Sequence, residues 1–279
     1  MKYSTKALKT KYWTPNTDYL KTITNSAKNE VQDSDILVIS EKAVSIALGR
    51  IIDESNVKPR YVAKILASFW MRKIWGYILG PICHLEKQSI ERLREYPLPE
   101  GSAHKQVALE YAGLTQALRH GSEGGIDVSN LPYAYACLPL NNPEEIARTV
   151  REAIWKETGK KVAVLIVDTD KTYSFRNLHI TPRPNPMKGI KCLGLFAYLL
   201  GRILKLRPRS TPLASAGLNL TIEQALRIAA IANKARGYGA GKTAWDVANH
   251  FGVRLMEVTW QMLEKVKHSP IVIVRKVNQ

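Results

Sequence analysis

Short unbroken apolar runs recur along this chain and predict strands. The run at residues 162–167 has no alternation of apolar and polar positions, as expected of a strand covered on both faces of its sheet. Residues 35–40 form a shorter apolar run, which predicts a buried strand that leads into a helix-compatible stretch ending at Arg50. Residues 271–274 are apolar and β-branched, and they predict the last strand.

Two stretches have the spacing of helices instead. Apolar residues recur at close to 3.6-residue intervals between residues 59 and 76, which predicts a helix there. Residues 142–158 form the best-defined helix, because Asn142 can cap its start, Pro143 suits its first turn and Gly159 suits its end.

The order of these elements predicts the fold class. Strands and helices intermix without a strict β-α-β alternation, which favours an α+β fold with a mixed sheet. The proline-rich stretch 181–189 is predicted to be a loop. We expect residues 1–279 to form one unit, which can include two subdomains.

The composition of the chain indicates which classes of binding partner it favours. The chain has 41 lysines and arginines against 24 acidic residues, a formal net charge of +17. This charge favours anionic partners such as nucleotides, acidic metabolites or nucleic acid, although a solvated lysine-rich surface would give the same count. The three cysteines give no disulfide framework, and the N-terminal residues are too polar for a signal peptide. We therefore expect a cytoplasmic protein without a membrane span.

Two aspartates carry the chemistry that the sequence suggests. Asp127 and Asp168 each follow an apolar run and precede polar turn residues, and the helix at 142–158 separates them. Such carboxylates can converge on a divalent cation that prefers oxygen ligands and bridges to nucleotide phosphates. Alternatively, Asp127 is an Asx-turn residue and Asp168 only ends a strand.

The segment 237–267 contains two competing signals. GYGAGKT at 237–243 resembles a phosphate loop, but it is one residue short and follows a helix, so a glycine-rich helix stop is the better interpretation. TAWDVANHFGVRLMEVTWQMLEKV at 243–266 has the spacing of a helix-turn-helix, which would make the protein DNA-associated. The apolar start of its second helix favours a helical pair packed on the body. Leu255, Met256 and Trp260 would then be buried.

Four motifs together resemble the coenzyme F420 γ-glutamyl ligase family. They are GIDVSN at 125–130, IVDTD at 166–170, DILVISEKAVSIALGR at 35–50 and SPIVIVRKV at 269–277. The match is close over residues 124–172 and moderate over 35–50. The resemblance implies the mixed-sheet α+β fold of that family, with 237–267 as an extra helical insertion, and a homodimer.

The resemblance also implies an activity. Family members use GTP and Mg²⁺ or Mn²⁺ to join L-glutamate to a carboxylate of a deazaflavin coenzyme precursor, and ATP remains an alternative to GTP here. Carried over by position, the metal ligands would be Asp127, Asp168 and Thr169. The nucleotide would contact Ser40, Glu41 and Asn130.

The chain also departs from the family pattern. Ile46 and Leu48 replace a lysine and a glutamate, and Leu226 and Arg227 replace an acidic pair. These departures leave a second hypothesis open, in which the chain is an inactive relative that serves as a ligand-binding or DNA-associated regulator.

Three other basic side chains could take the place of the missing lysine at a phosphate. They are Lys42, which follows Glu41, Arg176, which lies shortly after Asp168, and Lys242 in the glycine-rich stretch. No catalytic acid or base can be named from the sequence.

Overall fold

The computed structural model describes residues 2–217 and 219–277. The strands are β1 Lys2–Thr10, β2 Ile36–Ser40, β3 Ile51–Asp53, β4 Tyr135–Cys137, β5 Ala163–Phe175, β6 Leu178–Thr181, β7 Lys191–Cys192, β8 Arg207–Ala216 and β9 His268–Val277.

The α-helices are α1 Tyr19–Ala27, α2 Glu41–Ala47, α3 Tyr61–Ile65, α4 Gly80–Ile82, α5 Lys87–Arg94, α6 Leu98–Ala112, α7 Leu114–Ala117, α8 Pro143–Thr158, α9 Leu195–Ile203, α10 Ile222–Arg236, α11 Ala244–Phe251 and α12 Trp260–Glu264. A π-helix covers Leu66–Leu79, and 3₁₀ turns cover Glu54–Asn56, Glu123–Gly125 and Leu255–Glu257.

A mixed sheet organises the molecule, as the sequence predicts. Within the described residues it has seven strands, in the order β1-β9-β2-β5-β6-β7, with β8 also paired to β5. The pair β2 and β5 is parallel, whereas β9 runs antiparallel to β1 and β2. A separate antiparallel pair joins β3 to β4. The α+β class and the three predicted strands are therefore confirmed.

Helices cover both faces of the central strands. One face packs against α1, α2 and α8, through a buried cluster that includes Ile23, Val44 and Ile154. The opposite face packs against α10, through Ala225 and Ile228. Strand β5 lies between these layers, which explains why its first half is apolar at every position.

The predicted helix at 142–158 is confirmed as α8, and its end at left-handed Gly159 (φ 67°) is confirmed as well. Asn142 occupies the N-cap position, but its side chain forms no capping hydrogen bond to the backbone. The predicted helix at 59–76 is divided into α3 and the π-helix, and apolar Val62 and Phe69 on it are exposed.

The sequence suggests that strand β5 ends at Asp168, but the strand continues to Phe175. Its antiparallel register with β8 shifts between Asp168 and Lys171 and then resumes. Polar residues can continue the strand because Thr172 and Thr211 pair their buried hydroxyl groups at 2.9 Å. The shift leaves residues 169 and 170 in an irregular bulge beside Asp168.

The segment 237–267 contains short helices. Helix α10 ends at Arg236, and Gly237 follows with φ 79°, so the glycine-rich helix stop is confirmed. The expected burial is only partly right: Leu255 and Trp260 are half-buried, but Met256 is 38% exposed. Whether this segment is an insertion relative to the family stays a prediction, as does the number of structural units.

We expect Ile166→Ala to lower the free energy of unfolding by about 2–5 kcal/mol, because Ile166 is fully buried in β5 and its loss leaves a cavity. Ile65→Ala is a matched control, since Ile65 is 39% exposed and its loss should change stability by less than about 0.5 kcal/mol. Urea titration would measure both. Equal losses in the two variants would contradict this description of the core.

Candidate active site

A basic cavity opens where β2 ends and its parallel pairing with β5 stops, at Ser40 and Val167. Its volume is about 430 Å³. The residues that define it are Ser40 and Lys42 after β2, Asp127, Ser129 and Asn130 on the loop before β4, Asp168, Thr169 and Lys171 on β5, Arg236, Tyr238 and Lys242 around the glycine-rich loop, and Lys267 and His268 at the start of β9. Clefts at the carboxyl ends of parallel strands are common ligand sites.

Positive charge dominates this cavity. Five lysine and arginine side chains line it, against two carboxylates: the cations are Lys42, Lys171, Arg236, Lys242 and Lys267. Burial lowers the pKa of Lys171, and the positive charges of Arg236 and Lys242 lower it further. The negative charges of Asp170 and Asp168 oppose this shift of the pKa. A bound anion would relieve this crowding of cations. The cavity therefore suits a ligand with several negative charges.

Asp127 and Asp168 both line the basic cavity, and each already has a cationic partner. Lys42 Nζ lies 3.2 Å from Asp127 Oδ2, and Arg183 Nε donates to Asp168 Oδ2 at 2.8 Å. Asp127 also accepts a hydrogen bond from the backbone N–H of Ser129 at 2.7 Å, the Asx-type contact that the sequence raised as an alternative. The Asx-type contact of Asp127 is thus observed, and its role as a metal ligand stays a prediction.

A divalent cation at this site would have to share its ligands with bound phosphates or water. Across residues 2–217 and 219–277, no group of three or more His, Cys, Asp or Glu side chains could hold a metal by itself. Mg²⁺ commonly needs only one or two carboxylates, with waters and substrate phosphates completing its shell. Asp127 and Asp168 can supply these, and Thr169 places its hydroxyl 3.5 Å from Asp168 Oδ1.

Two of the three expected nucleotide contacts, Ser40 and Asn130, line the basic cavity. Ser40 lines the basic cavity at the N-cap of α2, where backbone N–H groups favour anions. Asn130 also lines it, but its side chain is engaged with the glycine-rich loop. Its amide donates to the carbonyl of Gly241 at 2.7 Å and accepts from the N–H of Ala240 at 2.8 Å. Asn130 therefore positions that loop.

Glu41 does not reach the basic cavity, so its expected contact with the nucleotide is not supported. Its carboxylate is buried, accepts from Arg183 Nη2 at 2.6 Å and accepts from the N–H of Leu140 at 2.8 Å. Burial and the nearby charge of Asp168 raise the pKa of Glu41 to about 7, against the opposing effect of Arg183. Glu41 is part of the support beneath the cavity.

Two of the three proposed phosphate-binding cations lie in the basic cavity. Lys42 and Lys242 line it, whereas Arg176 is exposed in the β5–β6 turn, where it lies over the ring of Phe175. The expectation for Arg176 is wrong, because β5 continues past Asp168 and moves the turn away. Lys171, Arg236 and Lys267 are cavity cations that no sequence motif indicated.

The departures from the family pattern have different structural settings. Ile46 lines the basic cavity one helical turn after Lys42, so the two lie on the same face of α2. Lys42 therefore places a positive charge on the helix face where Ile46 stands in place of the family's lysine. Leu48 is 46% exposed, Leu226 is buried in the core, and Arg227 lies over the ring of Tyr3.

Arg183 is the support residue that sequence reasoning missed. It lies in the predicted proline-rich loop and is only 3% exposed. Besides binding Glu41 and Asp168, its guanidinium donates to the carbonyl of Gly124 at 3.1 Å. Gly125 has φ 95°, and a Cβ there would lie 2.5 Å from Arg183 Nε, so glycine is required. A lone arginine in a loop carries no sequence signal of this role.

A second buried network lies behind the loop that carries Asp127. His104 lies between Glu54 at 2.7 Å and Glu123 at 3.1 Å, and Lys105 contacts Glu123 at 2.5 Å. Burial opposes protonation of His104, but the two carboxylates outweigh it and raise the pKa of His104 to about 10. The network therefore holds the 3₁₀ turn Glu123–Gly125 to α6 through charged pairs.

The mixed-sheet fold and this cavity define an α+β protein with a basic site that also contains two carboxylates. The chain belongs to the F420-0:gamma-glutamyl ligase family, because the model of that family matches residues 7–275. The resemblance carried by the motifs is therefore confirmed, and the family is one of ligases. Across the part of the chain that the structure describes, no helix is long and apolar enough to cross a membrane.

Relatives of this chain fall into two groups. An uncharacterised protein of Methanocaldococcus jannaschii is 35% identical over 281 residues, which cover 96% of this chain and 94% of that protein. The coenzyme F420:L-glutamate ligases of M. jannaschii and Methanopyrus kandleri are each 27% identical, over 51% and 56% of this chain. The chain spans about half the length of those ligases, 51% and 54% respectively.

We expect Arg183→Met to lower the free energy of unfolding by about 3–5 kcal/mol, because it leaves the buried carboxylate of Glu41 and the partly buried carboxylate of Asp168 without their shared partner. Arg176→Met is the matched control, since Arg176 is exposed, and it should cost less than about 0.5 kcal/mol. Urea titration measures both changes. A stable Arg183→Met variant would show that the loop does not depend on this arginine.

The network around His104 predicts a specific pH dependence. The folded-state pKa of His104 is about 10 and its ordinary value is 6.5, so its stabilising effect is complete below pH 6.5 and is lost as the pH rises through about 10. The free energy of unfolding should fall more steeply over this interval in the wild type than in His104→Gln. His250→Gln, at an exposed histidine, should keep the wild-type slope.

Proposed function

We propose that this protein is a nucleotide- and metal-dependent ligase that forms an amide between L-glutamate and a carboxylic acid. The observation that carries the proposal is the basic cavity, in which five cations surround Asp127 and Asp168. Membership of a ligase family supports it independently. GTP is the proposed nucleotide, and ATP is tested beside it. A homodimer is part of the same proposal.

The proposed reaction has two steps. An oxygen of the acid's carboxylate attacks the γ-phosphorus of the nucleotide, so that a new O–P bond forms and the nucleoside diphosphate leaves. The amine of glutamate then attacks the carbonyl carbon of the acyl phosphate. The C–O bond to phosphate breaks, inorganic phosphate leaves, and the amine loses a proton.

The protein's contribution to such chemistry is mainly positioning and charge neutralisation. Lys42 and Lys242 would contact the phosphates, and Lys171 and Arg236 add positive charge to the same cavity. The N-cap of α2 at Ser40 offers backbone N–H groups to a phosphate oxygen. A Mg²⁺ or Mn²⁺ ion held by Asp127, Asp168 and Thr169 would add neutralisation of phosphate charge.

The acid substrate of this protein is proposed to differ from that of the F420 ligases. M. jannaschii contains both a coenzyme F420:L-glutamate ligase, which matches this chain over about half its length, and a second protein that matches it over nearly the whole length. Ile46 lines the cavity in place of the family's lysine, with Lys42 one turn away. These differences favour a related acid over the family's deazaflavin precursor.

The DNA-associated alternative is not favoured. A helix-turn-helix needs a second helix long enough to lie in the major groove. At that position the chain has the 3₁₀ turn Leu255–Glu257 and then α12, which has five residues.

Binding can be tested without knowledge of the acid. We expect GTP or ATP with Mn²⁺ to raise the melting temperature, because a ligand that binds only the folded state stabilises it by mass action. Nucleotide without metal should stabilise less. Release of inorganic phosphate with glutamate and candidate acids then tests catalysis. No shift with either nucleotide in the presence of Mn²⁺ would exclude the proposed function.

Variants of the two aspartates test the metal site. Asp127→Asn and Asp168→Asn should each abolish the Mn²⁺-dependent part of the nucleotide shift, because an amide is a weaker ligand for a hard cation than a carboxylate. Asp33→Asn is the matched control, since Asp33 lies on the surface far from the cavity lining, and it should behave as wild type. Persistence of the metal effect in both site variants would contradict the assignment.

Lys42→Ala should weaken nucleotide binding by about tenfold or more, which corresponds to loss of one charge-assisted hydrogen bond worth roughly 1.5–3 kcal/mol. Lys156→Ala removes an exposed lysine of α8 and should leave binding unchanged. Titration calorimetry with nucleotide and Mn²⁺ measures both. An equal, small effect in the two variants would mean that only the net charge attracts the nucleotide.

A further inference from the structure

An apolar cavity lies next to the proposed ligase site and has no role in the chemistry described so far. Its volume is about 430 Å³, and it lies between the start of α6 and residues 244–258. Aromatic and aliphatic side chains form most of its walls; those used below are Tyr96, Tyr133, Val128, Trp245, Leu255 and Met256. The segment that resembled a helix-turn-helix thus supplies one wall of a cavity.

A middle cavity of about 340 Å³ lies between the apolar cavity and the basic cavity, and it shares lining residues with both. The middle cavity shares Tyr96, His104, Val128, Ala244 and Trp245 with the apolar cavity. It shares Ser122, Asp127, Ser129, Thr169, Lys171 and Lys242 with the basic cavity. The adjacent residues Asp127 and Val128 both line the middle cavity; Asp127 also lines the basic cavity, and Val128 also lines the apolar cavity.

Charge is distributed unequally among these three cavities. Among the described residues, the lining of the apolar cavity includes no lysine or arginine, although the chain has 41 of them. Its charged groups are Glu54, Glu100 and His104, and Glu54 is hydrogen-bonded to His104 at 2.7 Å. An anionic group placed there would meet the carboxylates of Glu54 and Glu100, and His104 is already paired with Glu54 and Glu123. The anion would therefore lose its hydration without a free cationic partner, which is unfavourable. An uncharged aromatic or aliphatic group would gain from burial against the rings.

We propose that the apolar cavity binds the body of the acid substrate, and that this body is an aromatic group without phosphate or other charge. The proposal rests on the proposed function, since the acid's single carboxylate would point through the middle cavity toward Lys242 and Asp127. Residues 244–258 then determine which acid is accepted, through Trp245, Leu255 and Met256. The 38% exposure of Met256 follows, because its side chain lines a cavity instead of filling a core.

The experiment uses two probes that differ by one phosphate group. The first is 2-naphthoate, and the second is the same acid with a phosphate ester on the far ring. Titration calorimetry on the full chain should show binding of 2-naphthoate, and binding at least about tenfold weaker for the phosphorylated acid, because a desolvated charge without a partner is costly. No binding of 2-naphthoate, or equal binding of the two acids, overturns the proposal.

Substitutions at Met256 locate the binding site. Met256→Glu should weaken 2-naphthoate binding by about tenfold, whereas Met256→Lys should shift the preference toward the phosphorylated acid by a similar factor. Leu204→Glu is the control, since Leu204 is 61% exposed and lies outside all three cavities. Unchanged preferences in both Met256 variants, with melting temperatures near that of the wild type, would overturn the proposal.

Nucleotide binding separates this inference from the proposed function. Both Met256 variants should keep the wild-type thermal shift with GTP and Mn²⁺, because Met256 does not line the basic cavity. A thermal shift with nucleotide but no binding of 2-naphthoate would overturn the proposed role of the apolar cavity and leave the ligase proposal in place. The opposite result is binding of 2-naphthoate with the predicted Met256 effects but no thermal shift with nucleotide. It would support the role of the apolar cavity in binding and overturn the ligase proposal.

Discussion

The buried guanidinium of Arg183 is the interaction on which the site depends. It joins the loop after β6 to Glu41 at the start of α2, to Asp168 on β5 and to the carbonyl of Gly124. Each partner belongs to a different part of the chain, so no local sequence preference could hold them in register. The guanidinium reaches these three acceptors from three different nitrogens in one plane, whereas the donors of a lysine all lie on a single nitrogen.

Support and ligand contact are separated in this site. Glu41 and Arg183 are buried beneath the basic cavity, whereas Lys42, Lys171 and Lys242 line it. The carboxylates of Glu41 and Asp168 balance the charge of the buried arginine, and the cations that line the cavity leave an excess of positive charge for an anion. A strongly basic chain thereby concentrates charge at one cavity and excludes lysine and arginine from the apolar cavity beside it.

At α2, the structure shows which side chain can replace the lysine of the family pattern. Loss of the family's lysine at Ile46 would remove a cation from the cavity, but Lys42 lies one turn earlier on the same helix face. The helical repeat makes such a replacement geometrically simple. The other departures, at Leu48, Leu226 and Arg227, lie outside the lining of the basic cavity.

The sequence by itself determined the central strands, helix α8 and the positions of Asp127 and Asp168, because apolar runs, caps and turn residues act over a few neighbouring residues. It also indicated the family. Only the tertiary structure decided that β5 continues past Asp168, which moved Arg176 away, since strand pairing with β8 outweighs the local turn preference. It alone showed the role of Arg183 and the cavity wall at Met256, because those contacts join residues distant in sequence.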